Sequence, residues 1–329
     1  MKKTLLFLLP FTFVACGIFS FNKAFAAEIK ISPNRRTPVV IAIEKVGPAI
    51  ANISTERLIT QRHVDPFFGS MSERFDQSFN ESFGQSQKQT VERPLGSGVI
   101  IDEDGYIVTN EHVVSRASKI KVRLSDGKVF EATMISSDPI SDLAVLKINS
   151  PTPLPYVKMG TSKDLMIGEP VIALGNPFGL ENSVTTGVLS ATNRTITFNT
   201  QHGDVKYEGL IQTDALINPG NSGGPLVNMD GELIGINAAI VNQAQGIGFA
   251  IPVDKVRQTL VKLFNFREIN KIWFGVQVEE QVDVSRGIVV SSVEEGSPAD
   301  KAQIKAGDFI TKIDSKEILD ILDFEKYIL

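Results

Sequence analysis

Three side chains in this sequence have the types and settings for nucleophilic chemistry: a serine, a histidine and an aspartate. The serine stands in Gly220-Asn221-Ser222-Gly223-Gly224-Pro225. Glycines beside a hydroxyl allow a tight turn and a close approach to a bound carbonyl. Backbone N–H groups in such a turn can stabilise an oxyanion, with Gly220, Asn221 and Ser222 as candidate donors. The histidines are His63, His112 and His202. His63 lies in a Phe/Ser/Gln-rich stretch, and His202 sits in Gln201-His202-Gly203-Asp204, which reads as a hairpin tip. His112 follows the apolar run of Ile107 and Val108, so a strand can hold it as a general base must be held. Taken alone, it also reads as a structural histidine. Asp142 opens the apolar run Leu143-Ala144-Val145-Leu146. It reads either as a turn aspartate or as a buried carboxylate, and burial would demand a partner such as a histidine N–H.

The elements that must position these groups are short strands and turns. Runs at 99–101, 106–108, 120–124, 143–148, 171–174, 184–191 and 233–236 are rich in β-branched residues and leucine. Asp104-Gly105, Asp126-Gly127, Gly203-Asp204 and Asp230-Gly231 read as turns between them. Closely spaced strands without intervening helices predict a mainly β protein built from barrels or sandwiches. After Pro252 the pattern changes. Val256, Leu260, Leu263 and Phe264 share one helical face, which predicts a linking helix at 254–271. A second unit follows at 272–329, with strands at 287–293 and 309–313 and a helix from near Asp320.

Composition narrows the class. The chain has 329 residues, enough for two or three domains. A hydrophobic content of 42% with 22% charged residues is that of a globular protein. Lys2 and Lys3 precede an apolar run that ends near Ala24-Phe25-Ala26, which reads as a signal peptide over 1–26 cut after Ala26. A membrane anchor is the alternative, and Phe13-Val14-Ala15-Cys16-Gly17 offers a lipoprotein reading that would tether the protein peripherally to a membrane. Cys16 is the only cysteine, so cleavage would leave an exported chain with no disulfide, no thiol nucleophile and no thiolate metal site. That cleavage removes Lys2, Lys3 and Lys23 and no acid, taking the net charge from −5 to −8. An acidic chain without basic clusters argues against nucleic acid as a partner. No G-x-x-x-x-G-K phosphate loop occurs, and no metal or cofactor is called for. Residues 27–55 read as an N-terminal segment. Residues 56–95 carry Phe67, Phe68, Phe75, Phe79 and Phe83 among polar residues and read as a flexible regulatory loop. The phenylalanines suit either a plain surface insertion or docking on another subunit or the active site.

The order His, Asp, Ser is that of chymotrypsin-like proteases. Thr109-Asn110-Glu111-His112-Val113-Val114, Ser141-Asp142-Leu143-Ala144 and Gly220-Asn221-Ser222-Gly223-Gly224-Pro225 resemble the three catalytic motifs of HtrA/DegP serine proteases. Gly96-Ser97-Gly98-Val99-Ile100, Gly175-Asn176-Pro177-Phe178-Gly179 and Ile247-Gly248-Phe249-Ala250-Ile251-Pro252 resemble further signatures of that family. The resemblance implies a double six-stranded β-barrel of trypsin-like type at 96–253, followed by PDZ material. It implies His112, Asp142 and Ser222 as a catalytic triad in an ATP-independent endopeptidase of protein quality control. It also implies a periplasmic location, unfolded polypeptides as substrates and a homotrimer joined through the protease domain.

By the same resemblance, Ile217, Asn237, Ala238, Ala239, Ile240, Val241 and Ile247 border the specificity pocket, although their apolar run also reads as plain strand core. Ile217, Val241 and Ile247 are apolar and no acid stands at the pocket base, so a small aliphatic residue is expected before the scissile bond. Asn221 replaces the aspartate that cleavage-activated zymogens carry before the serine, so activation without such a cut is expected. Trp273-Phe274-Gly275-Val276 resembles a PDZ carboxylate-binding loop. The sequence ends at Leu329, inside the expected groove helix, so the PDZ unit is expected to be incomplete and poorly folded alone. A chaperone-like binder with little proteolysis, or an inactive truncated product, stand as the alternatives.

Overall fold

Each barrel is formed by six antiparallel strands, and the alternation of side chains explains how. In β4 (Ile120–Leu124), Ile120, Val122 and Leu124 are buried while Lys121 and Arg123 lie between them, half exposed. That two-residue period places one face in a core. The computed structural model describes residues 35–61, 87–115, 117, 119–176, 183–200, 203–218, 220–238, 246–264, 273–279 and 287–328. The first barrel contains β1 (Ile50–Gln61), β2 (Gln87–Ile100), β3 (Tyr106–Thr109), β4, β5 (Val129–Asp138) and β6 (Leu143–Ile148). Its strands pair in the order β1-β2-β3-β6-β5-β4, and β4 returns to β1 through Ala51 and Leu124. The second contains β7 (Pro170–Gly175), β8 (Ser183–Thr200), β9 (Gly203–Thr213), β10 (Pro225–Val227), β11 (Leu233–Ala238) and β12 (Gly248–Pro252). It closes through Leu226 and Ala173 and repeats the same strand order. The chain is therefore mainly β, with a trypsin-like double barrel.

Sequence and structure differ where polar or short strands occur. The expected loop at 56–95 is narrower, because Thr55–Gln61 pair with Gln87–Arg93 and extend the β1–β2 hairpin. Backbone pairing in a ladder does not demand an apolar alternation in the sequence. Only 62–86 of that stretch lie outside the described residues, and the five phenylalanines and His63 lie there. Gly203-Asp204 opens β9 instead of turning, since Thr200 pairs with Gly203. His202 and the expected leader at 1–26 also lie outside the described residues.

Helices close the ends of the barrels. α1 (Pro38–Val46) starts with Thr37, whose side chain accepts a hydrogen bond from Val40 N, and with Pro38 in the first turn. Its Lys45 Nζ donates to Asp230 O at 2.7 Å, on the turn between β10 and β11. A one-turn helix, α2 (Glu111–Val114), follows β3. α3 (Val253–Leu263) buries Val256, Leu260 and Leu263. At its end Phe264 is fully buried and meets the Tyr106 ring edge-to-face, with centroids 5.1 Å apart. Asp254 in its first turn accepts from Ser162 N and Ser162 Oγ, both at 2.6 Å.

The C-terminal part holds β13 (Val276–Glu279), β14 (Ile288–Val293) and β15 (Phe309–Ile310) in one sheet and a hairpin of β16 (Lys312–Ile313) and β17 (Lys316–Glu317). It also contains α4 (Pro298–Lys301) and α5 (Ile321–Ile328). Charged contacts tie it to the first barrel. Lys326 Nζ lies 2.6 Å from Asp102 Oδ2, and both side chains are more than nine-tenths buried. Lys316 bridges to Glu103 and Asp104, and Arg257 of α3 to Asp320 at 2.6 Å. Burial works against the Asp102 carboxylate. The Lys326 ammonium, the Asp104 N–H and the Tyr327 hydroxyl outweigh it and hold the group below the usual carboxylate range. Such an acid stabilises the fold above about pH 3.9, and that contribution fades as pH falls through the lower folded-state value. Asp102→Asn leaves a buried ammonium without its counter-ion and should lower unfolding free energy by about 3–5 kcal/mol at pH 7 in urea denaturation. Combining it with Lys326→Met should restore most of that loss. A loss below about 1 kcal/mol in the single variant would contradict the buried-pair account.

Candidate active site

Register brings the first two groups together. β3 and β6 are neighbours, and their last pair is Thr109 with Ala144. His112 comes three residues after Thr109, and Asp142 comes two before Ala144, so both leave the barrel at one end. Asp142 has a φ of 55°. This left-handed backbone is one that aspartate tolerates better than most side chains. It aims the carboxylate at α2. Asp142 Oδ1 accepts from His112 N at 3.0 Å, and the ring Nδ1 lies 2.9 Å from Oδ1 and 2.8 Å from Oδ2.

A carboxylate only accepts, so Nδ1 carries the hydrogen and the neutral ring presents Nε2 as an acceptor. Nε2 lies 3.2 Å from Ser222 Oγ. Asp142 is 4% exposed at its side chain, against 47% for His112. The site is thus a dry carboxylate, an imidazole at the water boundary and a buried hydroxyl in line. Neighbouring groups feel the Asp142 charge. Partial burial first, and Asp142 second, push the Glu111 carboxyl up; burial and Asp142 do the same to the Tyr207 hydroxyl.

Ser222 sits in the connection from β9 to β10, clasped from several sides. Ser97 of β2 donates its N–H to Ser222 O at 2.9 Å and its hydroxyl to Gly220 O at 2.5 Å. The same Ser97 Oγ accepts from Asn176 N, and Ser97 O accepts from Thr109 Oγ1, both at 2.7 Å. Gly223 adopts a φ of 81°, and a Cβ there would lie 2.3 Å from both Ser97 O and Thr109 Oγ1. Gly220 has a φ of 119°. The glycines are therefore required by conformation and by wedging against the first barrel.

One expectation is corrected here. Asn221 N–H donates to Asn218 O at 3.1 Å, so it turns back on its own loop and is not an oxyanion donor. Its side chain does the same, with Oδ1 accepting from Asn218 N and Nδ2 donating to Leu216 O. No zymogen-like ion pair forms at this neutral residue.

Residues 96–236 match the family described as trypsin-like peptidase domain, and residues 273–329 match the PDZ domain family. The periplasmic serine endoprotease DegP of Escherichia coli is 40% identical, with 97% of this chain and 73% of that protein covered. The chain belongs to the DegP/HtrA family of serine endoproteases. A Halomonas elongata protein named as a DegP-like periplasmic serine endoprotease is also 40% identical, over 84% of this chain. This chain spans 62% of the length of that relative. A solved structure of the HtrA-type protease AlgW with a decapeptide aligns with a TM-score of 0.55 at 36% identity, covering 86% of this chain and 88% of that one.

The remaining expected positions of this DegP/HtrA chain divide. Ile217 is half buried and packs on Gly248, where a Cβ would lie 2.5 Å from it. Ile247 next to it is 41% exposed. Asn237 departs from the expectation of a pocket wall. It is fully buried, and its amide nitrogen donates to Pro225 O at 3.0 Å, Leu174 O at 3.2 Å and Asn221 O at 3.4 Å. The amide braces the serine loop from below: its two hydrogens serve Pro225 O and Leu174 O in a dry setting, while Asn221 O also accepts from Gly224 N at 3.0 Å. Ala238 is buried as well, and Ala239, Ile240 and Val241 lie outside the described residues.

Trp273–Val276 lead into β13. Trp273 Nε1 donates to Glu294 at 2.8 Å, Gly275 O accepts from Glu294 N and Phe274 O from Ala299 N. Beside them an apolar hollow of about 690 Å³ is lined by Phe274, Val276, Ile304, Ile310, Phe324 and Ile328 among others. Sequence reading gives no bracing role to Ser97 or Asn110, and it assigns Asn237 to the pocket instead. The signal for the first two was a polar side chain interrupting a buried strand end beside a motif. Asn237→Leu, close in volume, removes the side-chain donor to Pro225 O and Leu174 O and should cost about 2 kcal/mol or more in chemical denaturation. Unchanged stability would show that the brace carries no weight.

Proposed function

We propose that this chain is an exported, ATP-independent serine endopeptidase that degrades unfolded or misfolded polypeptides in the periplasm. The observation that carries the reading is the line from Asp142 through His112 to Ser222, with 2.8 Å and 3.2 Å between successive groups. Ser222 Oγ attacks the peptide carbonyl carbon while His112 Nε2 takes the hydroxyl proton. The imidazolium, held by Asp142, returns that proton to the leaving amine as the C–N bond breaks. Water then attacks the acyl ester, His112 accepts its proton, and Ser222 is regenerated with release of the acid. Gly220 and Ser222 supply the backbone N–H donors for the oxyanion. One such donor contributes about 100- to 1,000-fold in rate.

In this reading 96–253 with the preceding strand β1 form the protease domain, 254–271 the linking helix and 272–329 the PDZ unit. Residues 1–26 direct export. Half-buried Ile217 beside Ile247 favours a small aliphatic residue before the scissile bond. Asn221 points to control by ordering of the site rather than by cleavage. The same reading includes assembly as a homotrimer through the protease domain. The apolar hollow beside Phe274 and Val276 favours a second, compatible role, in which the PDZ unit holds the C-terminal end of an extended polypeptide.

Degradation of unfolded casein tests the catalytic reading. Ser222→Ala should reduce cleavage by about 1,000-fold or more, and wild-type rates in that variant would refute the assignment. Peptides with Val or Ala before the scissile bond should be cut at least about tenfold faster than the same peptides with Lys or Arg. The reverse order would contradict the Ile217 pocket.

A further inference from the structure

Asn110 stands at the N-cap of α2, where asparagine commonly caps the first-turn N–H groups with its own side chain. Here it makes no such bond. His112 N is taken by Asp142 Oδ1 at 3.0 Å, and Val113 N by the Asn110 backbone carbonyl at 3.2 Å. The asparagine side chain is thereby released for other partners. It is fully buried, so both of its polar ends need one. Asn110 Nδ2 donates to Asp142 O at 3.0 Å, and Asn110 Oδ1 lies 3.2 Å from Ser222 Oγ.

The first contact orients the amide. A carbonyl oxygen can only accept, so nitrogen must face Asp142 and oxygen must face Ser222. That oxygen cannot donate either, so the Ser222 hydroxyl supplies the proton. The same hydroxyl has His112 Nε2 at an equal 3.2 Å. One proton therefore has two acceptors at the same distance from the nucleophile's oxygen.

Building on the endopeptidase reading above, we propose that Asn110 positions both other members of this site. Its amide nitrogen locks Asp142 in the left-handed conformation that aims the carboxylate at His112. Its oxygen holds the Ser222 hydroxyl within reach of Nε2 by taking a share of the proton at rest. When Ser222 attacks, the proton passes to Nε2 and the bond to Asn110 is released, so Asn110 keeps its bond to Asp142 throughout. One amide thus couples the geometry of the carboxylate to that of the nucleophile, across the boundary between the two barrels.

The test is steady-state hydrolysis of a fluorogenic peptide by the full chain, alongside Asn110→Ala, Asn110→Asp and Ser222→Ala. Asn110→Ala should lower kcat by about 10- to 100-fold while KM stays within about threefold, since the peptide-binding surface is untouched. Asn110→Asp retains an oxygen toward Ser222 but sets a second oxygen against Asp142 O, and it should fall at least as far. The folded fraction of each variant is read by circular dichroism at the assay temperature. Should Asn110→Ala fail to fold, the near-isosteric Asn110→Asp decides. A kcat within about threefold of wild type in either folded variant would overturn the role of Asn110 while leaving the endopeptidase reading intact. So would a loss no larger than the loss of folded protein. Wild-type hydrolysis no faster than Ser222→Ala would overturn both.

Discussion

The carboxylate of Asp142, held on a left-handed backbone and bound to both the main chain and the ring of His112, is the contact on which the site depends. It does three things that would otherwise need separate groups. It caps the first turn of α2, it fixes which ring nitrogen carries hydrogen, and it places a negative charge where an imidazolium would form. The cost of burying a carboxylate is met by those hydrogen bonds, which is why the group can sit almost out of water. The rest of the first barrel serves this contact, since the pairing of β3 with β6 delivers both residues to the same end.

The second barrel contributes the serine, and its position relative to the histidine depends on stitching across the barrels. Ser97 holds the loop by Ser222 O and Gly220 O, Asn52 Nδ2 donates to Asn176 O at 2.6 Å, and Asn237 grips the loop from inside its own barrel. These are neutral hydrogen bonds in dry surroundings. They constrain orientation strongly because any alternative arrangement leaves a buried carbonyl unpaired. Such a design suits a nucleophile whose reach to Nε2 must be set to within fractions of an ångström. The C-terminal part is attached differently, through buried and half-buried ion pairs at Asp102, Lys316 and Asp320.

Much of this was legible in the sequence, and the failures have physical reasons. The alternating strand β4 and the continuous apolar run of β6 were visible, as was the amphipathic face of α3. The histidine, aspartate and serine that the structure brings together stand out in sequence because their neighbours are unusual: glycines around Ser222 and strand ends beside the other two. β5, β9 and the outer part of the β1–β2 hairpin were missed because their sequences are rich in polar residues, and backbone pairing does not require an apolar pattern. Asn237 was misjudged because a polar residue near a specificity loop looks the same in sequence whether it faces substrate or three buried carbonyls. Asn221 N–H was misjudged because the direction of one peptide plane is a tertiary property. Asn110 escaped notice because its expected task, capping α2, is performed by a residue 32 positions away.

The most direct measurement is the rate at which an alkyl fluorophosphonate labels Ser222, located by peptide mass spectrometry, in wild type and in Asp142→Asn. If the carboxylate sets the histidine hydrogen on Nδ1 and thereby makes Nε2 the acceptor, the variant should label about 1,000- to 10,000-fold more slowly while remaining folded. Labelling of the folded variant within about threefold of wild type would contradict the account.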